Sequence, residues 1–415
     1  MSLYQKASLV QIPSGYKASS ANLYSVVPNN GDGDFTVSVA AGATRVNKDG
    51  LIESVSANQA RLNYDFSNPQ DPHLLLEPTS ANLLQRSEEF DNSYWTKARA
   101  SITANQTTAP DGANTADKLF DSTDNNTHIV YRSLTVSTSN SYTFSCFLKK
   151  GSLDKAFLAF DATASQSVVF DLTNGTVFSE GSGVTSSSIV EYSNGWYKCS
   201  FTHTPTTTTR LYRLGTYNGS ISYTGTGTDF VYIFGAQVEA GSYPTSYIPT
   251  SGSAATRTQD SCLNGGTTSE FNDSEGVLFI ESQALANDLS YRFISICDGT
   301  TNNRVLISHN TVSNQIRADV IVSGSTQATM TTNSYTITDN HKIAIKYKTN
   351  DFALWVDGTE VSTDTFGNTF PSGTLSEINF DNGTLGASFY YEGKLKQLIY
   401  FNEALTDAEL ITLTS

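Results

Sequence analysis

The chain is a succession of short apolar runs separated by polar, glycine-rich turns. Between about Asn82 and Arg257 they include THIVYRSLTV, SYTFSCFLKK, KAFLAFDA, QSVVFDL, GTVFSEG, SSSIVEYS, GWYKCSFTH, TRLYRLGTY and DFVYIFGAQVEA. Within several of them apolar residues alternate with polar ones, the period-two pattern of a strand with one buried face. Asn174-Gly175 predicts a tight hairpin, with both central residues at positive φ. A second series begins near GVLFIESQAL and continues through YRFISICDG, NRVLISHN, NQIRADVIVSG, TQATMTTN, HKIAIKYK, FALWVDGTEV, SEINFDNG and SFYYEGKLKQLIYF. A helix signal occurs only at the end, in ALTDAELITLTS, where Thr406 and Glu409 have capping-box spacing.

The two series predict an all-β protein with two tandem β-sandwich (jelly-roll) domains, preceded by an extended N-terminal attachment region. The boundaries are drawn at 1–80, 81–258, 259–272 and 273–415, the third being a small polar linker. Residues 1–80 hold short extended runs punctuated by Pro13, Pro28, Pro69, Pro72 and Pro78, with an NKDG turn at 47–50. They carry too little apolar surface for a core of their own, so they are expected to lie against a partner. The run PHLLLEPTSANLL, starting at Pro72, is the expected seam. Its leucines 74–76 and 83–84 should pack beside Val238, Tyr243 and Tyr247 from the far end of the first sandwich, with Pro78, Pro244 and Pro249 stiffening both crossings.

Composition narrows the function. The 415 residues hold only 16% charged side chains and 11% aromatics, with a net charge of −15. The acidic balance and lack of a basic cluster argue against nucleic acid. No apolar run approaches the roughly 20 residues needed for membrane insertion. The start, MSLYQKASLVQIPSGYK, has no apolar core of signal-peptide length, which points away from ordinary export. Cys146, Cys199, Cys262 and Cys297 are far apart and form no CxxC pair. Buried free thiols are therefore expected, in keeping with a reducing compartment.

The order GATRVNKDGLIESVSANQARLNYDF, PHLLLEPTSANLLQRSEEFDNSYWTK, APDGANTADKL, NGWYKCSFT and FGAQVEAGSYPTSYIPTSGSAATR resembles a family of tailed-phage virion proteins of the tail-fibre, head-fibre or spike type. In these a jelly roll like a carbohydrate-binding module follows an attachment region. The pieces FALWVDGTEV and EGKLKQLIYFNEALTDAEL resemble a concanavalin A-like, laminin-G-like sandwich. The resemblance implies a structural protein of the bacteriophage virion, assembled in the host cytoplasm. It implies capsid or tail partners, a homotrimeric state and binding to host cell-surface glycans. Alternatives are a polysaccharide depolymerase and a purely architectural particle protein.

Chemistry is sparse. No catalytic residues are assigned. Glu270, Asp273 and Glu275 lack the spacing of a glycanase dyad on one strand face, and the five histidines lack ligand spacing. The one cofactor considered is a structural calcium, as jelly-roll modules hold near the chain entrance and exit, with Glu89, Asp91 and Glu239 as oxygen ligands. The glycan-contact candidates are Trp196, Trp355, Tyr212, Tyr217 and Tyr223. Strand parity sets both tryptophans on the polar side, and the three tyrosines lie in turn-rich sequence.

Overall fold

The computed structural model describes residues 3–12, 22–66, 68–161, 164–384 and 389–415. Pro13 and the rest of 13–21 lie outside the described residues. Nearly every element is a strand, and the one α-helix among the described residues is Asp407–Thr414. Its start is fixed by the Glu409 carboxylate, which accepts from Thr406 N at 2.9 Å and Thr406 Oγ1 at 2.8 Å. No helix among the described residues is long and apolar enough to cross a membrane.

The first sandwich consists of two six-stranded antiparallel sheets. One runs Ala100–Thr107, Ala116–Asp121, Phe230–Ala240, Tyr142–Lys149, Trp196–His203, Ser186–Glu191. The other runs Thr176–Glu180, Ser167–Asp171, Lys155–Phe160, Thr209–Tyr217, Ile129–Thr135, Thr96–Ala98. Alternate residues from both close on a core of Phe144, Cys146, Leu158, Phe170, Phe201, Tyr212 and Leu214. The hairpin at Asn174-Gly175 forms, but positive φ falls on Gly175 alone. The Asp171 carboxylate carries the turn instead, accepting from Thr173 N and Asn174 N at 2.9 and 3.0 Å.

The second sandwich pairs a five-stranded sheet with a larger one. The smaller runs Ser325–Thr332, Ile316–Val322, Arg304–His309, Arg292–Cys297, Glu377–Asn379. The larger runs Thr359–Asp364, Phe352–Val356, His341–Lys348, Glu275–Ala284, Gly393–Phe401, Asn68–Leu76, Leu62–Asp65. Leu9–Gln11 also pairs with Gly393–Phe401. The N-terminal region is therefore not free-standing. Its strands extend this sheet, and Leu9, Leu23, Phe35, Val37, Leu74 and Leu76 enter the same core as Ile294, Ile343 and Leu398. The segment 259–272 is likewise built in: Ser261–Leu263 pairs with Phe35–Ser38, and Cys262 is buried.

The leucine-rich seam divides at Glu77. Leu74 and Leu76 join the second sandwich, whereas Leu84 packs with Val238 in the first. Leu83 N donates to Val238 O at 2.8 Å, and Ser80–Asn82 pairs with Ala255–Arg257. Glu77 is 4% exposed, forms an ion pair with Arg257 at 2.8 Å and accepts from Ser246 N at 2.7 Å. It also pairs with Arg61, which is 0% exposed and holds Asp260 on its other nitrogen. Burial opposes ionisation of Glu77, but Arg257 and Arg61 outweigh it and hold the carboxyl well below its usual range. A buried network of this kind is expensive to break, because each partner removed leaves a desolvated charge. All four cysteines are buried free thiols.

Candidate functional site

Four of the five aromatic residues singled out from sequence are covered. Trp196 does point away from the core of its sandwich, as alternation requires. That side is roofed by Ile52 of the N-terminal region and by Ala109, so Trp196 is 0% exposed and its indole donates to Thr108 O at 3.0 Å. Trp355 also faces outward, but Leu410 of the terminal helix and Leu405 pack over it. Tyr212 belongs to the inner core, with its hydroxyl 3.0 Å from His203 Nε2. Tyr223 is largely buried and shares hydrogen bonds with Thr216 at 2.8 Å and Asp121 at 3.3 Å. Stacking a sugar on any of these four rings would require repacking.

Tyr217 remains at the surface, and the strands around it define a site. Along Thr209–Tyr217, Tyr212 and Leu214 point inward, while Arg213, Gly215 and Tyr217 point outward. Cross-strand partners share a face. The register therefore sets Tyr131 beside Arg213, Phe157 beside Gly215, and Lys155 between Tyr217 and Asp171. The floor of this face is apolar: Ile129, Phe157, Ala159 and Val169 form one buried cluster, with Tyr131 and Tyr217 packed against it. Gly215 is required there, since a Cβ would lie 2.4 Å from the Phe157 ring.

Phe178 completes the face through an irregularity. Val169 pairs with Ser179 but Phe170 pairs with Val177, so Phe178 is the extra residue of a bulge. A bulge re-aims its side chain. The ring stands 53% exposed, 5.8 Å from Tyr217 and 5.1 Å from Lys155 Nζ. Lys155 also meets Asp154 at 3.0 Å and Asp171 at 3.5 Å. Arg213 donates to Asp161 O at 2.9 Å, while its buried Nε has no partner among the described residues. Burial lowers the pKa of this guanidinium, Tyr131 opposes the shift and Arg99 adds to it. Rings flanked by fixed donors and acceptors can take a ligand that has both C–H faces and hydroxyl groups.

The proposed calcium ligands do not converge. Glu89 pairs with Arg86 and accepts from Ser251 at 3.0 Å. Asp91 is exposed, and its backbone carbonyl accepts from Lys97 at 2.8 Å. Glu239 is 0% exposed and accepts from Ser80, Gln237 and Thr245 at 2.6–3.0 Å. Its carboxylate is filled by protein donors, and among the described residues no group of three or more acidic, His or Cys side chains could hold a metal. The acids 270–275 serve local structure. Glu270 accepts from Thr267 N at 2.8 Å, Asp273 from Gly373 N at 2.6 Å and Leu375 N at 2.8 Å, and Glu275 pairs with Lys348 at 2.7 Å.

Parity in TRLYRLGTY could have separated Tyr217 from Tyr212. Phe178 had no such signal, because a bulge breaks the alternation that would reveal it.

The fold and this face define an all-β protein of tandem sandwiches with an aromatic outer surface. No protein-family model matches the chain, and no curated protein matches it significantly. Among solved structures, it is similar to the CBM40 domain of the Ruminococcus gnavus IT-sialidase bound to α2,3-sialyllactose. Identity is 14% over 37% of this chain and 94% of that one, with a TM-score of 0.32. The NanB sialidase of Streptococcus pneumoniae is similar at 18% identity over 36% and 25% of the two chains, TM-score 0.30. A heptameric SAP-like pentraxin from Limulus polyphemus is similar at 13% over 34% and 70%, TM-score 0.28.

Proposed function

We propose that the protein is a structural component of a tailed-phage virion, of the fibre, spike or decoration type, that binds host-surface glycans without cleaving them. The virion assignment rests on the sequence resemblance. The glycan assignment is carried by the surface row of Phe178, Tyr217 and Tyr131 beside Lys155 and Arg213. A pyranose would stack on the rings while its hydroxyls met the flanking charges. Attachment to a capsid or tail partner would use the N-terminal end, where Tyr4 and Val26 are about half exposed. Binding of the purified chain to an array of bacterial surface glycans tests the reading. Saturable binding without release of reducing ends is the expected result; steady release of sugar contradicts it.

A further inference from the structure

A second site lies apart from the aromatic face, where the N-terminal region meets both sandwiches. A cavity of about 360 Å³ opens there, lined by Tyr64, Phe66, Tyr192, Glu77, Lys198 and Lys394, among others. That volume is in the range of small-molecule sites. Phe66 and Val190, 38% and 53% exposed, stand at its rim.

Most of its charged side chains are already neutralised. Arg45 pairs with Glu53 at 2.7 Å, Lys394 with Asp65 at 3.0 Å, and Glu77 with Arg61 and Arg257. Lys198 differs. It is 7% exposed, lies two residues along the same covered face from Trp196, and donates to the backbone carbonyl of Thr245. Among the described residues it has no carboxylate within ion-pair distance, and its nearest ring, Phe147, is 5.9 Å away. Burial lowers its pKa, with Glu239 and Glu77 countering the shift from beyond contact. A buried ammonium with spare donors and no contacting counter-ion is costly unless something pairs with it.

We propose that this cavity binds an acidic monosaccharide, its carboxylate on Lys198 and its ring between Tyr64 and Tyr192. A carboxylate accepts the spare N–H donors and puts negative charge in direct contact with the ammonium, which Glu239 and Glu77 do not. The aromatic walls favour a sugar acid over a bare anion. The sugar could arrive free or as the end of an acidic glycan, entering past Phe66 and Val190.

Calorimetry on the full chain, with D-glucuronate, D-glucose, acetate and a glucuronate-terminated tetrasaccharide, tests this. Glucuronate should bind saturably and at least ten-fold more tightly than glucose or acetate, and Lys198→Met should weaken it at least ten-fold. Tetrasaccharide binding equal to or tighter than that of the monosaccharide identifies a chain end as the source; weaker binding identifies the free acid. Phe178→Ala and Tyr217→Ala should leave glucuronate binding unchanged, which separates this site from the outer face. A crystal soaked in 4-bromobenzoate, whose aryl bromide is inert to amines, should show anomalous bromine scattering inside the cavity with the carboxylate beside Lys198 Nζ, an observation that needs no variant. Absence of glucuronate binding, equal affinity for glucose or acetate, an unaffected Lys198→Met chain, or bromine only elsewhere would each overturn the proposal.

Discussion

The two sandwiches are made in different ways. The first draws its core from one continuous stretch, with Leu84 near its start and Val238 near its end packed together. The second is a composite. Its larger sheet includes Leu62–Asp65 and Asn68–Leu76, which precede the strand Glu275–Ala284 by about 200 residues, and its core takes in Leu9, Phe35 and Val37. The contrast teaches that the N-terminal region is structural before it is anything else. A segment too poor to build a core can still supply edges and cover to a distant one.

Deleting the region should expose the difference most severely. A chain beginning at Thr79 should keep the first sandwich folded and lose the second, since the strand Gly393–Phe401 would become a bare edge with an uncovered core. Limited proteolysis read by mass spectrometry should leave a fragment near residues 79–258. A fragment spanning 273–415 that resists equally would erase the distinction.

The junction network comes next. Arg61→Met should destabilise the protein by roughly 3–5 kcal/mol, because Asp260 would stay buried without its ion-pair partner and Glu77 would keep only Arg257. Urea unfolding measures this, and a loss below about 1 kcal/mol would mean that the network is not what joins the bodies.

On the outer face, Phe178→Ala and Tyr217→Ala should each weaken glycan binding about ten-fold, ~1.4 kcal/mol, with little change in melting temperature. Trp355→Phe, in the covered cluster of the second sandwich, should instead lower stability and leave binding intact.

The smallest effect concerns pH. Burial pushes the His203 imidazole down to about 4, with Arg210 adding to the shift and Asp161 opposing it. The ring stacks on Phe160 at 4.0 Å. The unfolded chain binds a proton there below about pH 6.5 and the folded chain does not, so this contribution is full above 6.5 and is lost as pH falls toward 4. His203→Gln should therefore close part of its stability gap to the wild type over that interval, by at most about 1.4 kcal/mol per pH unit. Melting curves at pH 7, 5.5 and 4 report it, and a constant gap would contradict the shift.

Much of the architecture was legible in the residues. Alternation in SYTFSCFLKK and GWYKCSF set Phe144, Cys146, Cys199 and Phe201 on one buried face, where they are found. Proximity of the LLQ segment to Val238 also held. Parity along a strand tells which residues share a face. It does not tell what later covers that face, and so Trp196 and Trp355 pointed outward only to meet Ile52 and Leu410. The pairing of Leu74 with Leu395 crosses more than 300 residues and has no local signal. Glu239 looked like a metal ligand because an acid at a strand end has oxygen to offer. Of the residues that occupy it, Gln237 and Thr245 are near in sequence, but Ser80 comes from 159 residues away.

Glycan contact at the outer face of the first sandwich is the central proposal. The direct measurement is binding of the full wild-type chain and the Phe178→Ala/Tyr217→Ala double variant to the same host-derived glycans, with folding checked by circular dichroism. Loss of binding at least fifty-fold in a variant that is otherwise intact is the predicted result. A double variant that binds as the wild type does would contradict the account.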